Sequence, residues 1–196
     1  DGIAIIVNNR LCTSVEEIKD SIKYNHKLDV EMLFIQSKIS NKFEGTDIEG
    51  FFRWIKIFFN FEQKNTYATE FNNFMSIAKE IYKNSRYFSR YQPKLKLFYV
   101  CNGKWTEDVN LKTIIEENIT ELENKNLFES VEFSPYDVKK VQKMYLKTKL
   151  PVEASITMEN TIPLPKIEGV KSAMFTILPF KQFIKLIADD NDKIKS

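Results

Sequence analysis

The sequence contains few of the residues that staple small folds together: of its 196 residues, two are cysteine and one is histidine. Cys12 and Cys101 are far apart and form neither a CxxC pair nor a Cys/His cluster. This spacing argues against a zinc ribbon and against a disulfide scaffold. Both cysteines lie beside apolar segments, so we expect buried thiols in a reducing cytoplasm.

Long apolar runs and an excess of one charge are also lacking. No run approaches the roughly 18 residues of a membrane helix, and no signal peptide opens the chain, so we expect no membrane partner and a cytoplasmic protein. Lys and Arg number 29 against 27 Asp and Glu, a formal net charge of +2. Any nucleic-acid surface must therefore be local.

Apolar strands and amphipathic helices alternate along residues 1–135, which predicts an α/β layer. Strands are predicted at 2–7, 10–12, 29–38, 95–100 and around 131–133. Helices are predicted from 15 to about 24, from Thr46 to about 61, from about 67 to 87 and from about 111 to 125. Ser14 with Glu17, and Thr46 with Glu49, have the spacing of capping boxes. A helical crossover precedes 95–100, so we expect that strand to run parallel to the first.

The pattern changes after residue 135, and we expect residues 136–196 to form a small α+β appendage. A helix carrying Val138, Val141, Met144 and Tyr145 is followed by predicted strands at 151–158 and 170–178, and a last helix begins at Pro179. Because the chain begins inside a strand motif and ends without a clear helix stop, we expect a piece of a longer protein with a further C-terminal region.

The strand predicted over 29–38 ends in polar residues, which the packing of a buried strand does not require. Its apolar run is followed by Gln36 and Lys38, whose spacing of two places both side chains on one side of the sheet. An ammonium there is costly unless an anion approaches it, and a phosphate is the obvious candidate. Asp1 opens the first strand and can converge with them on one metal ion and one scissile phosphate.

Asp1-Gly2-Ile3 together with Ile35-Gln36-Ser37-Lys38 resembles the PD-(D/E)XK nuclease signature in its Gln-x-Lys form, as in Mrr-type restriction endonucleases. The wider pattern resembles the abortive-infection phage-resistance family AIPR. That wider match comprises Phe34 to Lys38, the Phe-rich helix after it, Phe98-Tyr99-Val100 with Asn102-Gly103, Pro163-Leu164-Pro165, and Phe180-x-x-Phe183-Ile184.

The resemblance implies a restriction-endonuclease-like mixed sheet flanked by helices and a Mg²⁺- or Mn²⁺-dependent nuclease acting on nucleic acid, with DNA ahead of RNA. Asp1 and Gln36 would bind the metal together with the main-chain carbonyl of Ser37, and Lys38 would orient water or steady the phosphate. Gln36 replaces the more usual Glu, which removes one negative charge. A Glu on a helix before the first strand, which the family often supplies, is not in this sequence.

Other interpretations of the same residues stay open. Lys38 could be a solvated side chain and Gln36 could satisfy a buried backbone group. Lys42, Arg53 and Lys56 could flank a nucleic-acid path or form a solvated helix face. The chain could be a catalytically inactive sensing module, or the Phe-rich helix over 48–61 could dock a partner or a second copy.

Overall fold

The fold was analysed on a computed structural model that describes residues 1–62, 64, 66–89, 91–149, 161–165, 168–170 and 173–187. The chain divides into two compact units, residues 1–143 and 144–196. The first unit contains a five-stranded mixed sheet with helices, which confirms the predicted α/β class. The division between the units falls within a helix after the last strand of this sheet, whereas the sequence placed a change of pattern at residue 135.

The elements of the sheet unit follow the predicted order. Its strands are β1 (Gly2–Val7), β2 (Arg10–Cys12), β3 (Val30–Lys38), β4 (Lys94–Cys101) and β5 (Ser130–Tyr136). Its helices are α1 (Val15–Asn25), α2 (Gly45–Phe58), α3 (Thr69–Lys83), α4 (Val109–Glu123) and α5 (Val138–Lys149), and a 3₁₀ turn covers Ser85–Tyr87. The helix α5 extends past residue 143 into the second unit.

The sheet has the strand order β2-β1-β3-β4-β5. The strand β1 is antiparallel to both β2 and β3, and the turn between β1 and β2 is possible because Asn8 and Asn9 adopt φ of 51° and 64°. The strands β3, β4 and β5 are parallel. The expectation that β4 runs parallel to the first strand is wrong: β4 is parallel to β3, which the crossover leaves, and β3 runs opposite to β1.

The helix α1 begins as its sequence predicts, but α2 does not. Ser14 Oγ accepts a hydrogen bond from Glu17 N, while the Glu17 carboxylate accepts one from Thr13 N rather than closing the box on Ser14. The second predicted capping box is wrong, since α2 starts at Gly45 and no side chain caps it. The helix ends at Phe58 rather than near Phe61, which has a left-handed φ of 57° that a helix cannot continue through.

The aromatic residues of α2 form the centre of the core. Five residues of this helix are buried: Ile48, Phe51, Phe52, Ile55 and Phe58. The phenylalanine rings contact the sheet. The ring of Phe58 meets that of Phe34 edge to face with 5.0 Å between centroids, and the ring of Phe52 stacks on that of Phe133 at 5.5 Å. These rings are therefore engaged within the unit rather than offered to a partner. Trp54, by contrast, is 46% exposed.

In the second unit, the described residues form a two-stranded ribbon and one helix. The strands β6 (Ile162–Pro163) and β7 (Met174–Phe175) pair antiparallel, and α6 covers Phe180–Ile187. The predicted strand over 151–158 lies outside the described residues, and the one predicted over 170–178 is reduced to β7. The predicted last helix is confirmed. Among the helices that the structure describes, none combines the length and apolar character needed to cross a bilayer.

Phe52 tests the core directly because it is fully buried and stacked on a ring of β5. Phe52→Ala removes that ring and should lower the free energy of unfolding by about 3–5 kcal/mol. Urea denaturation followed by circular dichroism measures the change. Arg53→Ala, one residue along and exposed, is the matched control and should change it by less than about 0.5 kcal/mol. Equal effects of the two substitutions would contradict this packing.

Candidate functional site

The pairing of β1 with β3 brings Asp1 to Gln36. Gly2 lies opposite Ile35 in the antiparallel register, so continuing the ladder by one residue sets Asp1 opposite Gln36. Residues opposed in this way point to the same face of a sheet. The Ser37 N–H donates a hydrogen bond of 2.9 Å to Asp1 Oδ1, which fixes the carboxylate at the end of the ladder. The structure thus joins the two sequence motifs at one edge.

The amide oxygen of Gln36 is the unusual atom of this edge. Gln36 Oε1 is shielded from solvent, and it has no hydrogen-bond partner in the described part of the chain. This oxygen therefore does not accept from a backbone group of the described residues. Leaving a buried acceptor unpaired costs roughly 1–3 kcal/mol. An acceptor held so close to a carboxylate is suited to a cation or a hydrogen-bond donor that comes from outside the fold.

Asp1 and Gln36 open onto a cavity of about 620 Å³ between the sheet and the helices α2 and α3. That volume lies within the range of about 300–1,000 Å³ found for small-molecule and cofactor sites. The remaining walls are largely aromatic and include Phe51, Trp54, Tyr67, Phe71 and Phe74. A group bound by Asp1 and Gln36 would therefore have an apolar surface beside it.

Lys38 lies on the same side of β3 as Gln36 but turns toward α2. Its Nζ is 3.6 Å from Asp47 Oδ1, and each of the two side chains is 38% exposed. The sequence assigned Asp47 only to a favourable first turn of α2. One sequence signal could have identified Asp47 as a partner of Lys38. The Gln-x-Lys strand is followed by a short loop and then by a helix whose first turn carries this acid.

Tyr99 is a buried phenol close to Gln36 in the sheet. It is the β4 neighbour of Gln36 in the parallel ladder, and it packs against Phe43 and Phe51. Burial raises the pKa of the Tyr99 hydroxyl, and the negative charge of Asp47 raises it further. The phenol therefore stays protonated and brings no charge to this edge.

The loop between β3 and α2 is held in place by the end of β4. Cys101 Sγ donates to the carbonyl oxygens of Ser40 and Lys42 at 3.1 and 3.3 Å. Gly103 lies so close to this loop that a Cβ atom there would be 2.5 Å from Lys42 Cα. Since α2 follows directly, these contacts set where its first turn, and hence Asp47, stands.

Other charged candidates have partners elsewhere. Glu31 pairs with Lys96 at 2.9 Å on the face of the sheet opposite to Gln36. Lys56 binds Asn118 at 2.7 Å and also contacts Glu121, so α4 engages this side chain. Lys42 pairs with Glu44 at 3.3 Å. Of the three predicted flanking cations, Lys42 and Lys56 thus have acidic or polar partners within the fold.

The donors present suit a hard divalent cation. The Asp1 carboxylate, the Gln36 amide oxygen and the Ser37 carbonyl are all oxygen ligands of the type that Mg²⁺ selects, and Mg²⁺ is commonly held by one or two carboxylates plus water and substrate phosphates. Gln36 Oε1 fits this role because no group in the described ranges of the chain donates to it. Within the described residues, no group of three His, Cys, Asp or Glu side chains could hold a metal by itself. Substrate oxygens would have to complete the coordination.

Comparisons with protein-family models, curated proteins and solved structures found no match to this chain.

Gly103→Ala tests the anchoring of the loop before α2. The added Cβ would collide with the Lys42 backbone, so we expect a loss of about 1–3 kcal/mol in the free energy of unfolding. Gly50→Ala is the matched control: a Cβ there meets nothing within 4 Å, and replacing a mid-helix glycine should stabilise by about 0.5–1 kcal/mol. Thermal unfolding of both variants gives the comparison, and a neutral Gly103→Ala would disprove the close approach.

Proposed function

We propose that this chain is a metal-dependent nuclease domain of the PD-(D/E)XK type that hydrolyses phosphodiester bonds in nucleic acid. We further propose that it belongs to a phage-defence protein of the AIPR kind. One observation carries the proposal: the Asp1 carboxylate is fixed on Ser37 N, opposite a Gln36 whose buried amide oxygen has no partner among the residues that the structure describes. These residues come from the two motifs that resemble the nuclease signature.

The sheet supports the same proposal at a coarser level. The resemblance implies a mixed sheet with flanking helices, and the structure has an antiparallel β2-β1-β3 portion that continues into the parallel strands β4 and β5. In this arrangement Asp1 and the Gln-x-Lys segment lie on adjacent strands. The closer identification with restriction endonucleases rests on the motifs.

The proposed mechanism assigns one task to each side chain. Asp1 and Gln36 would hold the metal ion with the Ser37 carbonyl, and the Asp1 carboxylate stays oriented because one of its oxygens accepts from Ser37 N. Bound Mg²⁺ or Mn²⁺ would neutralise phosphoryl charge and lower the pKa of a water molecule. Lys38 would orient the attacking water or offset charge on the scissile phosphate, as an ammonium near a phosphoryl group can.

Nucleic acid is the proposed partner, with DNA ahead of RNA because of the resemblance. A net charge of +2 leaves attraction to the phosphate backbone to local groups. Lys38 follows Gln36 at the end of β3, and Arg53 is exposed on α2. The aromatic cavity beside Asp1 and Gln36 would accept the apolar part of a nucleotide next to the cleaved bond.

A second candidate is a sensing module that keeps this architecture without cutting. The observation in its favour is the single carboxylate, Asp1, among the three proposed metal ligands, because the neutral Gln36 weakens cation binding. A sensor need not bind Mg²⁺, so calorimetric titration with Mg²⁺ separates the two candidates. A titration with no heat of binding would favour the sensor.

Lys38→Ala tests the nuclease proposal. The intact protein would be incubated with plasmid DNA and with RNA in Mg²⁺ or Mn²⁺, and we expect the substitution to lower the cleavage rate by roughly 10²- to 10³-fold because charge stabilisation at the phosphate is lost. Lys112→Ala is the matched control, since Lys112 is an exposed lysine on α4 that pairs with Glu107. It should retain cleavage within about threefold of the wild type.

Two results would count against the assignment. Equal cleavage by the wild type and Lys38→Ala would reject the role of Lys38. Absence of cleavage by the wild type with either metal, on DNA and on RNA, would reject the nuclease and leave the sensing module.

A further inference from the structure

Asp47 is the acidic side chain that faces Lys38, and sequence patterns gave it no part in the site. Lys38 Nζ lies 3.6 Å from Asp47 Oδ1, and this ion pair links the end of β3 to the first turn of α2. The neighbouring carboxylates are placed differently: Glu44 pairs with Lys42, and Glu49 is exposed. Asp47 is therefore the acid of this helix start that can act on Lys38.

We propose that Asp47 is a positioning residue of the nuclease site, which holds the Lys38 ammonium at the edge of the sheet that carries Asp1 and Gln36. This inference rests on the proposed function. Lysine has a long, flexible stem, and an unrestrained ammonium at a strand end spends most of its time in water. A carboxylate on a fixed helix restricts where that ammonium can be when substrate arrives.

The position of Asp47 is fixed from two directions. Ile48, the next residue, is fully buried with Phe51 in the core, so the first turn of α2 cannot move freely. On the other side, the loop before α2 is held by Cys101 and by the close approach of Gly103. The helix start that carries Asp47 is thus held in place from both sides.

The ion pair is too exposed to serve mainly as a stabilising contact. Pairs in which both side chains keep a third or more of their surface in water contribute little to folding, since water screens them. Restricting an otherwise mobile ammonium is the larger consequence of the contact.

The test compares Asp47→Asn with the matched control Glu49→Gln, an exposed carboxylate two residues along the same helix. Asp47→Asn should lower kcat for nucleic-acid cleavage by roughly ten- to a hundredfold and leave KM within about threefold, because misplacing a reacting group costs rate rather than ground-state binding. Asp47→Glu should recover part of that loss. Glu49→Gln should cleave like the wild type.

A double-substitution cycle shows whether Asp47 acts through Lys38. In the Lys38→Ala background, Asp47→Asn should cause no further loss of rate, since the residue it positions is gone. Affinity for Mn²⁺, measured by calorimetry without substrate, should stay within about threefold of the wild type in Asp47→Asn. Thermal unfolding of each variant confirms that it is folded.

The outcomes are separable from those that test the nuclease itself. A wild type that does not cleave rejects the proposed function, and the role of Asp47 with it. A wild type that cleaves while Asp47→Asn cleaves equally well rejects only the positioning role. A clear fall in Mn²⁺ affinity in Asp47→Asn, or independent losses in the cycle, would also overturn positioning, because either result makes Asp47 act directly on the metal or substrate.

Discussion

The register between β1 and β3 is the constraint on which the candidate site depends. It sets Asp1 opposite Gln36, and a slip of one residue would send one of the two side chains to the other face of the sheet. Hydrophobic burial holds this register, because Ile5 and Val7 of β1 lie on the same face as Met32 and Phe34 of β3, and all four are buried. The site is thus positioned by the core beneath it.

Hydrophobic burial also positions the helix α2, which forms the opposite wall of the site. Its phenylalanines fill the core against β3, β4 and β5, and this packing brings its first turn beside the end of β3. Local sequence has little influence on where this helix starts, as the uncapped Gly45 shows. The polar groups of the site therefore lie where the start of α2 comes close to the paired ends of β1 and β3.

Local patterns were sufficient to predict the features that depend on a few neighbouring residues. The period of two along β3 predicted that Gln36 and Lys38 lie on the same side of the sheet. The pairing of Asp1 with Ser37, separated by 36 positions, needed the resemblance, since periodicity cannot specify which strands are neighbours. Asp47 was missed because its contact with Lys38 crosses a loop whose shape depends on Gly103.

The helical pattern after residue 135 illustrates a different limit. Its apolar stripe correctly predicted α5, yet Val138 and Val141 are 39% exposed and Met144 is 51% exposed. Periodicity reports that a helix has an apolar face, and burial requires an element that covers it. In α2, by contrast, the apolar face packs against the sheet, and its residues are buried in the core.

Metal affinity is the most direct measure of whether Asp1 and Gln36 form one site. Mn²⁺ would be titrated calorimetrically into the wild type and into Gln36→Glu, which restores the carboxylate that the resemblance leads one to expect. If Gln36 is a ligand beside Asp1, the added charge should tighten binding by about tenfold or more. Identical affinities, or no binding by either protein, would contradict the account.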